Sequence, residues 1–236
     1  MNYPGKELTL FSAATHWKQY FSQKIGPYLS GDVLEVGAGL GGTTQSLLKF
    51  ARGPITSWTA LEPDPDLYSV LKNQNIPSLN GKRISYIHGT LHELPPEARQ
   101  FDVILYVDVL EHILADREEI QFASQFLKPQ GRLVVLAPAH NFLTSPFDQE
   151  IGHHRRYCRR SLRDLRGSLF QSEHSSYLDS AGLLLSLANA YLLKKAQPSM
   201  NDILFWDRFV VPVSKLLDYL SRYHLGKSIL EIWTRT

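Results

Sequence analysis

Three stretches of this chain combine residue types that could do chemistry. In VLEVGAGLGGTT, Gly37, Gly39, Gly41 and Gly42 follow an apolar run and precede a helical one. Glycine tolerates positive φ and has no side chain. Such a loop turns sharply and lets a ligand touch its backbone, with helix N–H groups facing that ligand. Gly37, Gly39 and Gly42 keep the G-x-G-x-x-G spacing, and Glu62 follows Gly42 by twenty residues, where an acid can bond ribose hydroxyls. Glu35 lies inside the apolar run. A carboxylate buried there is costly unless it serves a polar ligand such as an aminoacyl group.

The second stretch, FDVILYVDVLEHI, sets Asp108, Glu111 and His112 just beyond a buried strand. The third, PAHNFLTSPFDQEIGHHRRY, gathers His140, Asn141, Asp148, His153, His154, Arg156 and Tyr157. A histidine within hydrogen-bond reach can take a proton from a reacting hydroxyl, which makes His112, His140, His153 and His154 candidate bases. Arginine matches phosphate or carboxylate bidentately, so Asn141, Asp148, Arg156 and Tyr157 are candidate contacts to an acceptor. Six arginines and one acid within residues 152–167 give +5 locally against −3 elsewhere, so electrostatic steering is expected from that segment.

The elements that must position these residues read as alternating strands and helices. Apolar runs at 32–36, 57–61, 84–88, 103–107 and 132–137 read as strands, and 43–50, the stretch from Pro65 through Leu71, and 118–127 as helices. Residues 128–131 (KPQG) are expected to close the last of these. Strands separated by helical patterns pair in parallel through right-handed crossovers, which predicts a doubly wound α/β sheet. Residues 9–24 carry apolar side chains at three- and four-residue spacing and read as one amphipathic helix. Ser161 with Asp164 reads as the start of another. From Ala181 onward the chain is apolar and aromatic, enough for a cap over the ligand edge or a strand-and-helix completion of the sheet.

With 43% hydrophobic and 20% charged residues the chain can bury a sizeable core, which excludes disorder, collagen and coiled coil. The single cysteine, Cys158, forms no internal disulfide, and no Cys/His grouping has structural-zinc spacing, so no metal is expected. The start lacks the pattern of a secretory signal. The longest nearly uncharged apolar stretch, 181–193, is 13 residues, short of the ~20 that cross a bilayer. A cytoplasmic protein is expected, with peripheral membrane contact left open.

On the hhEhGxGxG pattern from Val33 to Gly41, the acid Glu62 and the strand-four segment ending Leu110-Glu111-His112, residues 30–140 resemble the class I S-adenosylmethionine-dependent methyltransferases. The pattern D-x-x-x-G-H-x-R-R-Y, met by Asp148, Gly152, His153, Arg155, Arg156 and Tyr157, is similar to a group of bacterial small-molecule methyltransferases of mostly unassigned substrate, over nearly the whole chain. The resemblance implies one Rossmann-like methyltransferase domain with a mostly parallel seven-stranded sheet and helices on both faces. It divides into an N-terminal helical lid (1–29), a cofactor-binding core (30–140), and a substrate-side loop, basic segment and apolar C-terminal helical cap (141–236).

It also implies residue roles. Glu35 and the loop of Gly37, Ala38, Gly39 and Gly41 would hold the methionine part of S-adenosylmethionine. Glu62 would bond the ribose, and Pro63 and Asp64 would flank the adenine. Val107, Asp108 and Val109 would lie near the sulfonium. Many members place an Asp where this chain has Thr90-Leu91, with Thr90 a weaker replacement. Trp17 and Tyr20 would close over the site and touch the acceptor.

The reaction implied is methyl transfer to an O, N or C atom of a small-molecule or lipid-like acceptor. The glycine spacing alone also admits a nicotinamide-dependent oxidoreductase, and the arginines a non-catalytic protein docking to anionic membrane. RNA is disfavoured because the basic run has no interleaved aromatic platform. The sequence does not determine oligomeric state.

Overall fold

Glycine or proline follows four of the five apolar runs, at Gly37, Pro63, Gly89 and Pro138, and the computed structural model describes residues 6–74, 76, 84–98, 100–188 and 197–236 of the chain. Helices α1 (Lys6–Ser12) and α2 (Thr15–Ile25) lead into β1 (Gly31–Val36), α3 (Gly42–Phe50), β2 (Ile55–Glu62), α4 (Pro65–Asn73) and β3 (Ile84–His88). Then come β4 (Phe101–Val107), α5 (Asp116–Phe126), β5 (Leu127–Pro138), α6 (Pro146–Glu150), α7 (Arg159–Arg166) and β6 (Phe170–Leu178). The chain ends with α8 (Ser180–Ala188), α9 (Met200–Phe205), a π-helical turn (Trp206–Val210), α10 (Val211–Leu220) and β7 (Ser228–Arg235).

The seven strands lie in the order β3-β2-β1-β4-β5-β7-β6. The pairs β1 to β5 are parallel, and β7 runs antiparallel between β5 and β6. Strands buried on both faces read as continuous apolar runs, as in Val103–Ile104–Leu105–Tyr106, all at most 1% exposed. One core cluster includes Val33, Trp58 and Leu105, and a second includes Leu34, Ile104 and Trp233. The sheet order reverses direction between β1 and β4, and the carboxyl ends of both strands open there into one crevice.

Four boundaries differ from the sequence expectation. The helix expected over 9–24 is two helices, because Asp207, far along the chain, takes the backbone N–H groups of His16 and Trp17 and so starts α2 afresh. The Lys18 ammonium meanwhile donates to the Phe11 and Ser12 carbonyls that end α1. Residues 128–131 do not form a closing loop but lie within β5. Its pairing with β4 shifts between Phe101 and Val103, and that irregularity absorbs Pro129, Gln130 (φ +61°) and Gly131. Helix α7 starts at Arg159, with Ser161 accepting from the Cys158 N–H, so Ser161 is the third helical residue rather than the cap. The C-terminal region is both strand and helix: β6 and β7 complete the sheet, while α8 to α10 pack beside α2.

Buried acids fasten that C-terminal layer. Asp218 accepts from the Tyr20 hydroxyl (2.7 Å), the Asp179 N–H (2.8 Å), and both the N–H and hydroxyl of Ser180. Asp179 accepts from the Trp206 indole (2.8 Å), the Gly182 N–H and the Ser214 hydroxyl. Removing the Asp218 carboxylate orphans three buried donors, the Tyr20 hydroxyl and the Asp179 and Ser180 N–H groups, at about 1–3 kcal/mol each where no water replaces it, while the Ser180 hydroxyl keeps the Leu225 carbonyl. Asp218→Ala is expected to lose on the order of 3 kcal/mol or more in urea unfolding, with Tyr20→Phe losing a minor part of that.

Candidate functional site

The crevice widens into a cavity of about 1460 Å³ that runs from the glycine loop to the segment after β5. Gly37, Ala38 and Gly39 form its floor, with Gly37 at φ +70° and Gly39 at φ +55°. A Cβ at Gly37 would stand 2.6 Å from the Val109 side chain, while one at Gly39 would project toward Leu8 across the cradle. The Glu62 carboxylate, 4% exposed, accepts from the Gly39 N–H (2.7 Å) and the Asp64 N–H (2.9 Å), tying the loop to the end of β2. Burial raises its pKa against those two bonds. Pro63, Thr90, Leu91, Val107 and Val109 line the same side, and Trp17 of α2 faces them.

Asp108, at φ +54°, lies deep in the cavity beyond β4. Its pKa is pushed up to about 6 by burial, with His153, Lys227, Lys18 and Arg156 holding it down. Glu111 is fully buried, and neither of its carboxyl oxygens has a hydrogen-bond partner among the described residues. Burial and the neighbouring Asp108 raise its pKa well above the carboxylate range, which favours its protonated form. His112 is pushed down to about 4 by burial and by the adjacent His153 and His154, and is therefore neutral too.

The 3₁₀ turn Leu110–His112 meets the segment after β5 through His153. His153 Nδ1 lies 3.0 Å from Asp148 Oδ1, and its Nε2 lies 3.8 Å from Glu111 Oε1. Asp148 is 2% exposed and also accepts from Nε and Nη2 of Arg156 and from the Ser145 N–H and hydroxyl. Burial alone would raise its pKa, but His153 and Arg156 hold it well below the usual carboxylate range. An ionised Asp148 requires the proton on His153 Nδ1, which leaves the lone pair on Nε2, facing Glu111. Glu111, His112 and His153 each offer one ligand atom within 4.8 Å of the others, a donor set that could also take a divalent ion.

The sequence candidates divide cleanly. The cavity brings together Gly37, Ala38, Gly39, Glu62, Pro63, Thr90, Leu91, Val107, Asp108, Val109, His112, Trp17, Asp148, His153 and Arg156. Seven others do not line it. Glu35 stands behind the loop, where its Oε2 accepts from the Thr44 hydroxyl and the Trp58 indole. Gly41, at φ +79°, caps α3 against Leu71. Tyr20 is spent on Asp218.

The other four support the segment after β5. His140 is stacked between Phe142 and Tyr177, at 5.0 and 4.9 Å. His154 points to solvent. Asn141 accepts the Arg156 N–H, and the Tyr157 hydroxyl donates to Asp116 and the Leu110 carbonyl. Lys18, Lys227 and Trp206, which also line the cavity, carried no signal in sequence because only tertiary packing brings them there.

A parallel sheet with a glycine cradle, an acid at the end of β2 and one cavity that continues beyond β4 defines a nucleotide-type cofactor-binding α/β domain. Residues 9–190 match the methyltransferase domain family, and the chain belongs to it. Its cofactor is S-adenosylmethionine: the cradle admits backbone contact only, and the Glu62 carboxylate faces the cavity as a ribose-binding acid must. The family match decides against the nicotinamide reading of the glycines, since the cradle and the acid alone fit either cofactor.

Among curated relatives, the mitochondrial ubiquinone biosynthesis O-methyltransferase of Schizosaccharomyces pombe is 34% identical over 107 residues, 44% of this chain and 36% of that protein. The demethylmenaquinone methyltransferase of Tropheryma whipplei is 28% identical over 170 residues, 71% of this chain and 64% of that protein. The match therefore spans less than two thirds of either relative. In fold, the chain is similar to a SAM-dependent methyltransferase from Archaeoglobus fulgidus (TM-score 0.55, 13% identity, 92% of this chain and 94% of that one). It is also similar to the cyclopropane synthase MmaA2 of Mycobacterium tuberculosis (TM-score 0.57, 12% identity, 92% and 82%).

Two outcomes follow from these acids. Glu62→Ala is expected to weaken S-adenosylmethionine binding by roughly ten- to a hundredfold in calorimetric titration, the worth of charged hydrogen bonds, while Glu35→Gln leaves it within a few fold. Burial pushes Glu35 from its ordinary 4.5 up to about 7. As pH rises from about 4.5 the unfolded chain ionises while the native acid stays protonated, so stability falls until about 7 and then levels. Glu35→Gln is expected to remove that decline, on the order of 3 kcal/mol, from the difference between the two unfolding curves.

Proposed function

We propose that this chain transfers the methyl group of S-adenosylmethionine to a hydroxyl of a small, lipid-like acceptor, with His153 as the general base. The observation that carries this is the Asp148–His153 pair on the cavity lining, where Asp148 engages Nδ1 and leaves Nε2, 3.8 Å from Glu111, to accept a proton. The cofactor supplies an already activated methyl electrophile, so alignment and exclusion of water do most of the work. Gly37 and Gly39 offer backbone contact to its methionine part, Glu62 accepts from its ribose, and Pro63, Asp64 and Thr90 border its base. Val107, Asp108 and Val109 line the same cavity.

On the acceptor side, His153 Nε2 takes the hydroxyl proton, and the imidazolium that forms is stabilised by the ionised Asp148. Burial raises the Glu111 pKa, which favours its protonated form and lessens its competition for that proton. Helices α1 and α2 serve as the lid, with Trp17, Leu8 and Phe11 covering the cradle from water. The acceptor class rests on the chamber's apolar lining, by Leu143, Ile151, Leu185 and Ile203, and on the quinone-biosynthesis relatives. In this chain the D-x-x-x-G-H-x-R-R-Y segment supplies the pair. Transfer to a neutral amine or a preformed carbanion would need no such base, and the intact pair favours oxygen.

The test is methyl incorporation from labelled cofactor into a panel of demethylated hydroxyquinols of varying tail length. His153→Ala is expected to lower kcat by about 10²–10⁴-fold and Asp148→Asn by less, with cofactor affinity unchanged in both. Dialysis against a chelator should leave the rate unaltered. A rate surviving His153→Ala assigns the proton elsewhere, and one lost to the chelator assigns the Glu111, His112 and His153 set to a metal ion.

A further inference from the structure

The helices that wall the cavity present a second face to solvent. From α9 through the π turn to α10, Ile203, Trp206, Val211, Ser214 and Asp218 turn inward and are buried. Phe205, Phe209, Val213, Leu216 and Leu220 turn outward, each 50–66% exposed, at successive spacings of four, four, three and four. The Phe205 and Phe209 rings pack 5.6 Å apart, on the same side. At ~1.5 Å per residue the row is about 22 Å long.

Charge along the row is one-sided. The two acids between Ile203 and Arg222 are Asp207, which accepts from α2, and Asp218, which accepts from Tyr20 and Ser180; both are buried. Arg208 and Arg222 are exposed, and Lys215 is half-buried over the Tyr20 ring. The arginine-rich stretch before and within α7 is differently used. Arg155 pairs with Asp116, Arg156 with Asp148, and Arg159 and Arg166 donate to backbone carbonyls.

We propose that the outward face of α9 and α10 docks on an anionic lipid surface. An apolar row bordered by cations is the pattern that lies in a membrane interface, apolar side down and cations at the headgroups. A second copy fits worse, because a contact between two such rows would bring cations together with no exposed acid between Ile203 and Arg222 to pair them. The inner face of the same helices lines the cavity through Asp202, Ile203 and Trp206, and Leu185 of α8 is both cavity-lining and 38% exposed. A docked protein thus opens its acceptor chamber beside the bilayer. That consequence rests on the lipid-like acceptor proposed above, whereas the docking itself needs no acceptor.

The experiment is flotation of the full chain with vesicles of phosphatidylcholine, with and without about one third phosphatidylglycerol. Binding is expected to the anionic vesicles and to weaken with salt. Phe209→Glu with Leu216→Glu, and separately Arg208→Glu with Arg222→Glu, should each lower it by about tenfold or more, one to two contacts' worth. All four side chains are exposed, and titration with S-adenosylmethionine should match wild type, which separates lost docking from lost folding. Absence of vesicle binding, binding indifferent to these variants, or a dimer in light scattering that Phe209→Glu with Leu216→Glu disperses would each overturn the proposal. Failure of wild type to bind the cofactor would instead sink the methyl-transfer reading and leave docking intact.

Discussion

The cleft depends on the parallel alignment of β1, β2, β4 and β5. Because these strands run the same way, their carboxyl ends fall on one edge, and three of them lead into residues that line the cavity there: Gly37 after β1, Glu62 at the end of β2, and Asp108 after β4. From Val33 to Val36 the backbone of β1 is pinned to both neighbours in continuous register, Glu35 opposite Ala60 on one side and Leu105 on the other. A one-residue slip of β1 would move Glu35 to the opposite face and break its bonds to Thr44 and Trp58. The register and the glycine loop are therefore one constraint.

Within that frame, the surroundings of each buried acid decide its role. Glu35 meets two neutral donors and stays an acid at moderate pH, a brace for α3 rather than a ligand. Asp148 meets a guanidinium, an imidazole and a serine, and stays ionised. The Glu111 carboxyl has no hydrogen-bond partner among the described residues, and burial raises its pKa. Three carboxyl groups of similar chemistry thus supply a prop, a fixed negative charge and a group biased toward its acid form. The order in which donors reach them, not their burial, separates them.

What was legible in sequence was whatever a local pattern encodes. The five parallel strands followed from apolar runs bounded by turns, and the cradle from Gly37 and Gly39, because a positive φ leaves a glycine in the sequence. The Asp148, His153 and Arg156 association was visible as a short segment, although not which histidine would face the cavity. His140 and His154 look equivalent to His153 in sequence. Stacking against Tyr177 and exposure to solvent tell them apart, and both are tertiary facts. The break between α1 and α2 was invisible for the same reason, since its cap, Asp207, lies 190 residues from Trp17. Lys227 reaches the cavity only because β7 inserts between β5 and β6.

The C-terminal layer ties these levels together. A methyl-transfer chamber must exclude water, and the helices that do so here are held by acids pointing inward: Asp207 to α2, and Asp179 and Asp218 to Trp206, Tyr20 and the start of α8. Turning those acids inward strips negative charge from the outward face of the same helices, which retains apolar side chains and arginines. The interior hydrogen bonds that close the chamber therefore also set the electrostatic sign of the surface beside its entrance. A substitution such as Asp207→Asn weakens the cap on α2 and leaves the outer row untouched. The converse also holds, since Phe209 and Leu216 take no part in the inward network. The two faces of one helical segment are coupled through composition but separable by mutation.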